Sequence, residues 1–246
     1  MNAGMSATDP TSQLTPEPVP TSPPMNSPVT TTVHLVRHGE VHNPTGVLYG
    51  RLPGFRLSGA GERQAAVACA FLAEPQAERD VAAIISSPLE RARQTAAPFG
   101  EQFGLEIGID HRLIESENVF EGGAVEVGPG IYKHPQLWHH LRNPFRPSWG
   151  EEYGRVATRV LAAVSDAADA HVGRDVVLVS HQLPIYVTRR AAEGRPLWHR
   201  PDRRQCALAS VTSLVFVGEG TGRRLARVEY VQPNGPGTNK QGKVGA

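Results

Sequence analysis

Cysteine, lysine and long apolar runs are all scarce in this chain of 246 residues. Two cysteines, Cys69 and Cys206, cannot form a disulfide framework, and their apolar neighbours favour buried thiols in a reducing compartment. The longest apolar run, Ala65 to Ala73, is far shorter than the roughly 20 residues that a membrane-spanning helix requires. The amino terminus also lacks the basic start and apolar stretch of a secretory signal. These absences predict a cytoplasmic protein without membrane contact.

An excess of either charge is also missing. The 25 basic and 24 acidic side chains give a formal net charge of +1, so no global feature points to a nucleic acid or a membrane surface as partner. Lysine occurs only at positions 133, 240 and 243, so arginine supplies 22 of the basic residues. The composition excludes a disordered chain and a fibre, and the length suits one large domain or two small ones.

The two ends of the chain differ from the rest. Residues 1–31 are rich in Pro, Thr and Ser and contain no Lys or Arg, which predicts a disordered tail. All three methionines, Met1, Met5 and Met25, lie there, and one hypothesis is that Met25 is the natural start. The Gly-rich residues 233–246 predict a second flexible tail, which leaves 32–232 as the folded domain.

Apolar runs rich in β-branched residues alternate with helical patterns between the tails. The predicted strands cover 31–36, 81–86, 105–109, 175–180, 209–217 and 223–231, and the predicted helices cover 57–72, 87–103, 148–171 and 183–192. Ser58, Ser87 and Ser148 stand at N-cap positions, and Pro88 and Glu90 complete a capping box after Ser87. The alternation predicts a single-domain three-layer α/β/α sandwich with a mainly parallel central sheet and an antiparallel edge.

Polar residues follow three of the predicted strands at the point where each strand ends. The segments are Arg37-His38-Gly39-Glu40, Ser86-Ser87-Pro88-Leu89-Glu90-Arg91 and Ser180-His181-Gln182. In an open parallel sheet the ligand crevice lies outside the carboxyl ends of the strands, so these segments are expected to converge on one edge. Two arginines and two histidines would then lie together.

A cluster of this kind predicts a site for a phosphoryl group. The guanidinium forks of Arg37 and Arg91 match phosphate oxygens in geometry, and the helix that opens at Ser87 adds N–H donors and a positive dipole end. Gly39 lets the backbone approach the anion closely because it has no Cβ. A neutral histidine beside such a group keeps a free lone pair and can act as a nucleophile.

Further motifs make the chain resemble the histidine phosphatase superfamily, also called phosphoglycerate mutase-like. They are LSGAGERQA (57–65), SSPLERARQTA (86–96), RLIE (112–115) and FEG (120–122), in addition to the Arg-His-Gly and Ser-His-Gln segments. The resemblance covers nearly all of 32–232, and it implies an α/β enzyme that transfers phosphoryl groups.

The resemblance also implies roles for single residues. His38 would be the nucleophile that becomes phosphohistidine, and Glu115 would be the proton donor to the leaving group. The phosphoryl oxygens would be held by Arg37, Arg91, His181, Asn43 and the backbone N–H of Gln182. Asn43 lies one residue closer to His38 than is usual in the family. The stretch 115–122 is one residue short, so Glu117 competes with Glu115 for the role of acid.

Charge accounts for the expected mechanism without a metal or a cofactor. In-line transfer needs positive charge around the equatorial oxygens, and Arg37, Arg91 and a protonated His181 would supply it. Glu115 must be protonated when the leaving group departs, so burial is expected to raise its pKa. The same group, once ionised, would take a proton from the water that attacks the phosphohistidine.

These inferences predict a histidine acid phosphatase-like phosphomonoesterase. It would be a metal-independent hydrolase that acts through phosphohistidine on a small phosphorylated metabolite. A phosphoglycerate mutase-type phosphotransferase would use the same residues and ranks second, and an inert module that binds a phospho-ligand is a third alternative. A metal-dependent phosphoesterase would need a ligand set that the sequence does not reveal. A homodimer stays open as the assembly.

Several other groups have plainer explanations. His34 alternates with apolar neighbours and is expected to pack in the core. His134, His139 and His140 lack the usual spacing of metal ligands. The adjacent arginines at 203 and 204 are expected to be surface charges.

Residues 116–150 form a long stretch with little periodicity. A lid over the leaving group and a solvated face are equal alternatives for it. The side chains that suggest a lid are Lys133, Trp138, Arg142 and Arg146.

Overall fold

Six strands and four helices build the part of the chain that the computed structural model describes, which is Met1 and residues 28–122, 150–200 and 203–236. The strands are β1 (Thr30–Arg37), β2 (Val81–Ser86), β3 (Ile107–Ile109), β4 (Asp175–Ser180), β5 (Val211–Val217) and β6 (Arg224–Val231). The helices are α1 (Gly59–Leu72), α2 (Glu90–Phe103), α3 (Tyr153–Ala170) and α4 (Gln182–Ala192). Every predicted strand and helix has a counterpart, with its ends shifted by a few residues.

One mixed sheet holds all six strands in the order β3-β2-β4-β1-β5-β6. The four strands from β3 to β1 are parallel, whereas β5 pairs antiparallel with β1 and with β6. The register pairs Arg37 with Ser180 across β1 and β4, and Ser86 with Val179 across β2 and β4. The carboxyl ends of β1, β2 and β4 therefore meet at the same edge, as the sequence predicts.

Helices cover both faces of the sheet, because alternate side chains of the central strands belong to two separate apolar clusters. Val33 and Leu35 of β1 pack with Val160 of α3 and Ile185 of α4. Val36 of β1, which points to the opposite face, packs with side chains of α1 and α2. The predicted three-layer α/β/α sandwich is confirmed.

The start of α2 differs from its prediction. The helix begins at Glu90 with Leu89 at the N-cap, and no side-chain hydrogen bond caps it. The Ser87 hydroxyl, predicted to cap this helix, lies 2.7 Å from Nε2 of His181 and accepts from the amide of Leu89 at 3.4 Å. Glu90 forms an ion pair with Arg56 at 2.8 Å. The predicted capping box is therefore wrong, because the hydroxyl has a buried partner from a distant strand end.

The start of α3 also lies later than predicted. The helix begins at Tyr153, with Glu152 at the N-cap, and Ser148 lies outside the described residues. Glu151 accepts hydrogen bonds from the guanidinium of Arg159 at 2.9 Å and from Arg51 at 3.1 Å. Its carboxylate thus links α3 to the loop after β1. At α1, by contrast, Ser58 caps the helix as predicted, accepting from the amide of Gly61 at 3.1 Å.

The predicted tails lie largely outside the described residues. At the amino end, β1 begins at Thr30, so residues 30 and 31 belong to the sheet and not to a tail. At the carboxyl end, the amide of Asn234 donates to the carbonyl of Gln64 at 3.2 Å. None of the helices in the described segments is both long enough and apolar enough to cross a membrane.

Candidate active site

His38 lies directly after β1, with its side chain fully buried. Its backbone amide donates to the carbonyl of Ser180 at 3.0 Å, which joins the ends of β1 and β4. Nδ1 lies 2.8 Å from the carbonyl oxygen of Gly39, and a carbonyl can only accept, so Nδ1 carries the proton. Nε2 is then unprotonated, and no described group is hydrogen-bonded to it. The ring therefore presents one free lone pair at the carboxyl edge of the sheet.

The electrostatic surroundings keep His38 neutral. Its pKa is held well below the ordinary value of 6.5, first by burial and then by the positive charges of Arg91 and Arg37. The hydrogen bond to Gly39 acts in the opposite direction and is outweighed. A neutral ring with a fixed tautomer is the form that can act as a nucleophile.

His181 follows β4 and faces His38, with the two ring centroids 5.2 Å apart. It is fully buried, its Nε2 lies 2.7 Å from the Ser87 hydroxyl, and its Nδ1 has no hydrogen-bond partner among the described residues. Burial and the charges of Arg91 and Arg37 lower its pKa well below 6.5. In the empty site, burial and then the charges of the two arginines thus favour a neutral His181, in contrast to the protonated form expected during the reaction.

Arg37 and Arg91 are both buried, and each is oriented by one backbone carbonyl. Nη1 of Arg37 donates to the carbonyl of Cys206 at 2.7 Å, and Nη2 of Arg91 donates to the carbonyl of Gly50 at 2.6 Å. The guanidinium of Arg91 also stacks 4.7 Å from the ring centroid of Tyr49. In both side chains Nε is without a partner in the described part of the structure. Two fixed cations thus keep donors for an anion.

Glu115 follows the 3-10 turn His111–Leu113 and is 3% exposed. Its Oε1 accepts from the backbone amide of Ser116 at 2.8 Å, whereas Oε2 is buried and has no partner among the described residues. Burial raises the pKa of Glu115 as expected, although the Ser116 amide and nearby arginines act against the rise. A raised pKa increases the protonated fraction of the carboxyl group, which is the form that can serve as an acid.

Glu117, unlike Glu115, is exposed to solvent and paired with an arginine. Its side chain is 71% exposed, and it forms an ion pair with Arg51 at 2.8 Å. The Nε of the same arginine donates to the backbone carbonyl of Glu115 at 2.7 Å. Of the two competing carboxyl groups, Glu115 is therefore the one buried beside the arginines of the site.

Gly39 and Asn43 have contacts that differ from the predicted ones. The amide of Gly39 donates to Oγ1 of Thr95 at 3.1 Å, and a Cβ on Gly39 would lie 2.4 Å from the carbonyl oxygen of Gly61. Both ends of the Asn43 amide are hydrogen-bonded to the backbone of Val47, at 2.8 and 3.1 Å. Gly39 thus permits a close approach to α1, and its amide already has an acceptor. Asn43 stabilises its own loop through one of its two side-chain N–H donors, and its predicted contact with a phosphoryl oxygen stays a prediction.

Gln182 is the first residue of α4, and His181 is its N-cap. Its backbone amide belongs to the helix N-terminal donors that lack a partner within the helix, as the prediction requires. Its side-chain Oε1 lies 3.5 Å from Nη1 of Arg204.

Sequence reasoning missed three side chains of the site. Ser87 carried a strong capping signal, which pointed away from its contact with His181. Tyr49 lies in an irregular loop, where no periodicity marks a residue that stacks on Arg91. Arg204 was expected on the surface, but the structure places it close enough to Glu115 to lower the pKa of that carboxyl. No local signal distinguishes Arg204 from Arg203.

Some candidate residues cannot be placed. The lid side chains Lys133, Trp138, Arg142 and Arg146 lie outside the described residues, as do His134, His139 and His140. Within the described residues, no group of three His, Cys, Asp or Glu side chains is arranged to hold a metal ion. His34 is buried as expected, with Nδ1 2.8 Å from the Ser213 hydroxyl.

Comparison with known proteins gives consistent results. A profile of the histidine phosphatase superfamily (branch 1) matches residues 33–228. An uncharacterized protein of Mycobacterium tuberculosis H37Rv is 52% identical over 206 residues, which cover 84% of this chain and 98% of that protein. A probable phosphoglycerate mutase of Escherichia coli O1:K1 is 30% identical over 187 residues, which cover 73% of this chain and 83% of the mutase. The native structure of a mycobacterial glucosyl-3-phosphoglycerate phosphatase superimposes with a TM-score of 0.63 at 26% identity, covering 80% of this chain and 97% of its own.

Proposed function

Since the chain belongs to the histidine phosphatase superfamily, we propose that it is a phosphomonoesterase that acts through a phosphohistidine on a small phosphorylated metabolite, without a metal ion. One observation carries this proposal. The buried, unpartnered Nε2 of His38 faces the carboxyl edge of the sheet, between two buried arginines whose charges no described carboxylate pairs by a salt bridge.

Binding of the phosphoryl group follows from charge. Arg37 and Arg91 supply two fixed positive charges, and the backbone amide of Gln182, the first residue of α4, supplies a further donor at a helix N-terminus. The Ser87 hydroxyl lies 2.7 Å from Nε2 of His181, and Nδ1 of that ring has no partner among the described residues, so a proton on Nδ1 would be available to a bound phosphoryl oxygen. A bound dianion offsets the charge of the arginines, so the pKa of His181 rises when substrate is present.

The first chemical step forms the covalent intermediate. Nε2 of His38 attacks phosphorus in line with the ester oxygen, so a P–N bond forms as the P–O bond breaks. Oε2 of Glu115 gives its proton to the departing alkoxide, which leaves as an alcohol. The arginines stabilise the charge on the three equatorial oxygens, in the place where other phosphatases use metal ions.

The second step returns the enzyme to its starting state. Glu115, now a carboxylate, takes a proton from water, and the water oxygen attacks phosphorus as the P–N bond breaks. Inorganic phosphate leaves, and Nε2 of His38 recovers its lone pair. Glu115 thereby ends the cycle protonated, ready for the next substrate.

Trapping the intermediate tests the proposal. A reaction with a ³²P-labelled aryl phosphate, quenched in denaturant at alkaline pH in the presence of a chelator, is expected to yield an acid-labile phosphoprotein. The label is expected on the peptide that contains Arg37-His38-Gly39. His38→Ala is expected to lose both label and turnover, whereas His42→Ala, a change at an exposed histidine of the same peptide, keeps both. Turnover without label, or activity abolished by the chelator and restored by a divalent metal, would refute the mechanism.

A phosphoglycerate mutase activity is the second candidate, favoured by the 30% identity to a probable mutase. In a mutase the phosphohistidine passes its phosphoryl group to a second hydroxyl instead of water. Release of inorganic phosphate and conversion of 3-phosphoglycerate to 2-phosphoglycerate, measured in the same sample, separate the two. We expect phosphate release to dominate, and fast isomerisation with little phosphate would favour the mutase. The absence of both activities would favour an inert binding module.

A further inference from the structure

Two arginines from distant parts of the chain hold the backbone of the segment that ends in Glu115. Nε of Arg51, in the loop after β1, donates to the carbonyl of Glu115 at 2.7 Å. Nη1 of Arg159, in α3, donates to the carbonyl of Arg112, three residues earlier. The segment 112–115 is therefore tied to a guanidinium group at each of its ends.

One carboxylate joins these two arginines. Glu151 lies two residues before α3, and its two oxygens accept from Nε and Nη2 of Arg159, both at 2.9 Å. Its Oε2 also accepts from Nη2 of Arg51 at 3.1 Å. The side chains of Glu151, Arg159 and Arg51 are 15%, 17% and 26% exposed, so water screens their ion pairs less than it would at the surface. Together the three side chains form one unit, the arginine clamp.

Each guanidinium of the clamp is engaged on more than one side, which fixes its orientation. Arg159 presents Nε and Nη2 to the carboxylate as a bidentate pair, while its Nη1 reaches a backbone carbonyl. Arg51 uses Nε for the carbonyl of Glu115 and Nη2 for the carboxylate. Because a guanidinium is planar, holding one edge sets the direction of the donors on the other. Without the carboxylate of Glu151, both arginines would lose a contact that directs them toward the segment of the acid.

The same stretch of loop also orients the phosphoryl side of the site. The carbonyl of Gly50 accepts from Nη2 of Arg91 at 2.6 Å, and the next residue, Arg51, holds Glu115. Two adjacent residues thus connect the cation proposed to hold the phosphoryl group with the acid proposed to protonate the ester oxygen. Proton transfer in the transition state requires the acid within hydrogen-bond reach of that oxygen, so the spacing between these two groups affects the rate.

The clamp adds little net charge to the surroundings of the acid. Its two guanidinium charges are offset by the carboxylates of Glu151 and Glu117. A bare cation next to Glu115 would favour the ionised carboxylate and weaken the group as an acid. Arginines paired with carboxylates can therefore hold the backbone of Glu115 without removing its proton. Of the two carboxylates, the exposed Glu117 contributes less, because solvent-exposed ion pairs are weak.

We propose that Glu151 is a positioning residue, which acts through the arginine clamp to hold Glu115 where its Oε2 meets the ester oxygen of the leaving group. This inference rests on the proposed function, since it assumes that Glu115 protonates that oxygen. The carboxyl group itself is hydrogen-bonded to its chain neighbour Ser116, so its position depends on where the backbone of this segment is held.

Two esters of similar shape test the role of Glu151. Phenyl phosphate has a poor leaving group that needs a proton from the acid, whereas para-nitrophenyl phosphate has a good one that scarcely does. Glu151→Gln keeps the shape of the side chain and is expected to lower kcat for phenyl phosphate about 5- to 30-fold, a part of the 10²–10⁴-fold that a general acid supplies. Both KM values, and kcat for para-nitrophenyl phosphate, are expected to change less than about twofold. The rate on para-nitrophenyl phosphate also reports how much of each sample is folded.

Glu193→Gln is the matched control. Glu193 likewise bridges two arginines, Arg189 at 2.8 Å and Arg195 at 3.0 Å, and its side chain is 20% exposed, but it follows the end of α4. Its substitution is expected to shift the urea midpoint about as much as Glu151→Gln does and to leave both ester rates unchanged.

Two further variants separate position from charge. Arg51→Lys keeps the positive charge but lacks the fork that joins the carbonyl of Glu115 to the carboxylate of Glu151, so it is expected to reproduce the selective loss on phenyl phosphate. In a Glu115→Gln background, Glu151→Gln is expected to cause no further loss, because a positioning residue then has no acid left to position.

The outcomes distinguish this role from others. An equal fall for both esters in Glu151→Gln would assign a merely structural role to the residue, and an unchanged ratio of the two rates would leave it without a role in positioning; either would overturn the inference. A further loss in the Glu115→Gln background would overturn it as well, because Glu151 would then act by another route. If Glu115→Gln itself shows no dependence on the leaving group, or the wild-type enzyme hydrolyses neither ester, the proposed function is refuted, and the positioning role with it.

Discussion

Replacing Ser87 by alanine tests whether its hydroxyl serves His181, as the structure indicates, or caps a helix, as the sequence predicts. Its hydroxyl lies 2.7 Å from Nε2 of His181, and both residues are fully buried. Without the hydroxyl, Nε2 of the buried ring loses its hydrogen-bond partner. The buried imidazole is then free to turn away from the phosphoryl group that it is proposed to hold.

The size of the effect follows from the buried hydrogen bond. An unsatisfied buried polar group costs about 1–3 kcal/mol, and we assign about 1–2 kcal/mol of this to the transition state. The value corresponds to a fall in kcat/KM of about 5- to 30-fold for an aryl phosphate. Folding stability is expected to fall as well, by about 1 kcal/mol.

Ser58→Ala is the matched control, because Ser58 does cap a helix. Its hydroxyl accepts from the amide of Gly61 at 3.1 Å, so the change is expected to cost about 1 kcal/mol of stability while kcat/KM stays within about twofold. The assay is steady-state hydrolysis of an aryl phosphate, with urea denaturation of the same samples. If Ser87→Ala loses stability as Ser58→Ala does but keeps its activity, the assignment of Ser87 to His181 is refuted.

Three further predictions concern the acid, the pH dependence and the packing of the loop after β1. Glu115→Gln is expected to slow hydrolysis of alkyl esters by about 10²–10⁴-fold and hydrolysis of activated aryl esters far less. Glu117→Gln, a change at an exposed side chain, is expected to keep both rates, and the reverse pattern would assign the role of acid to Glu117. Burial raises the pKa of Glu115, so its protonated form is lost as pH rises through that raised value, and kcat/KM for alkyl esters is expected to fall toward alkaline pH. Glu115→Gln is expected to lack this fall in pH-jump assays, and a fall that persists in the variant would contradict the assignment. Gly39→Ala is expected to destabilise the fold by about 1–3 kcal/mol in denaturation curves, since the new Cβ would lie 2.4 Å from a carbonyl oxygen. A Cβ on Gly154 meets nothing within 4 Å, so Gly154→Ala is expected to be neutral or stabilising.

Local pattern predicted most of the fold. Apolar runs rich in β-branched residues indicated the strands, and the polar residues directly after three of them indicated the edge that holds the site, because parallel strands end at the same edge of the sheet. Arg37, His38 and His181 could therefore be located before their distances were known. Ser58 could be assigned as a cap because its partner lies three residues away in the chain.

Contacts between distant segments could not be predicted in this way. Ser87 and Arg204 carry local signals for a cap and a surface charge, but their partners lie 94 and 22 positions away at His181 and Gln182. The choice between Glu115 and Glu117 likewise depends on burial, because Glu115 is buried and Glu117 is exposed although both lie in one short loop. Periodicity is a property of neighbouring residues, so sequence analysis could identify which residue types stand at the end of each strand. Which hydroxyl, carboxyl and guanidinium groups come together there depends on the folded structure, because hydrogen-bond partners and desolvation are set by segments far apart in the chain.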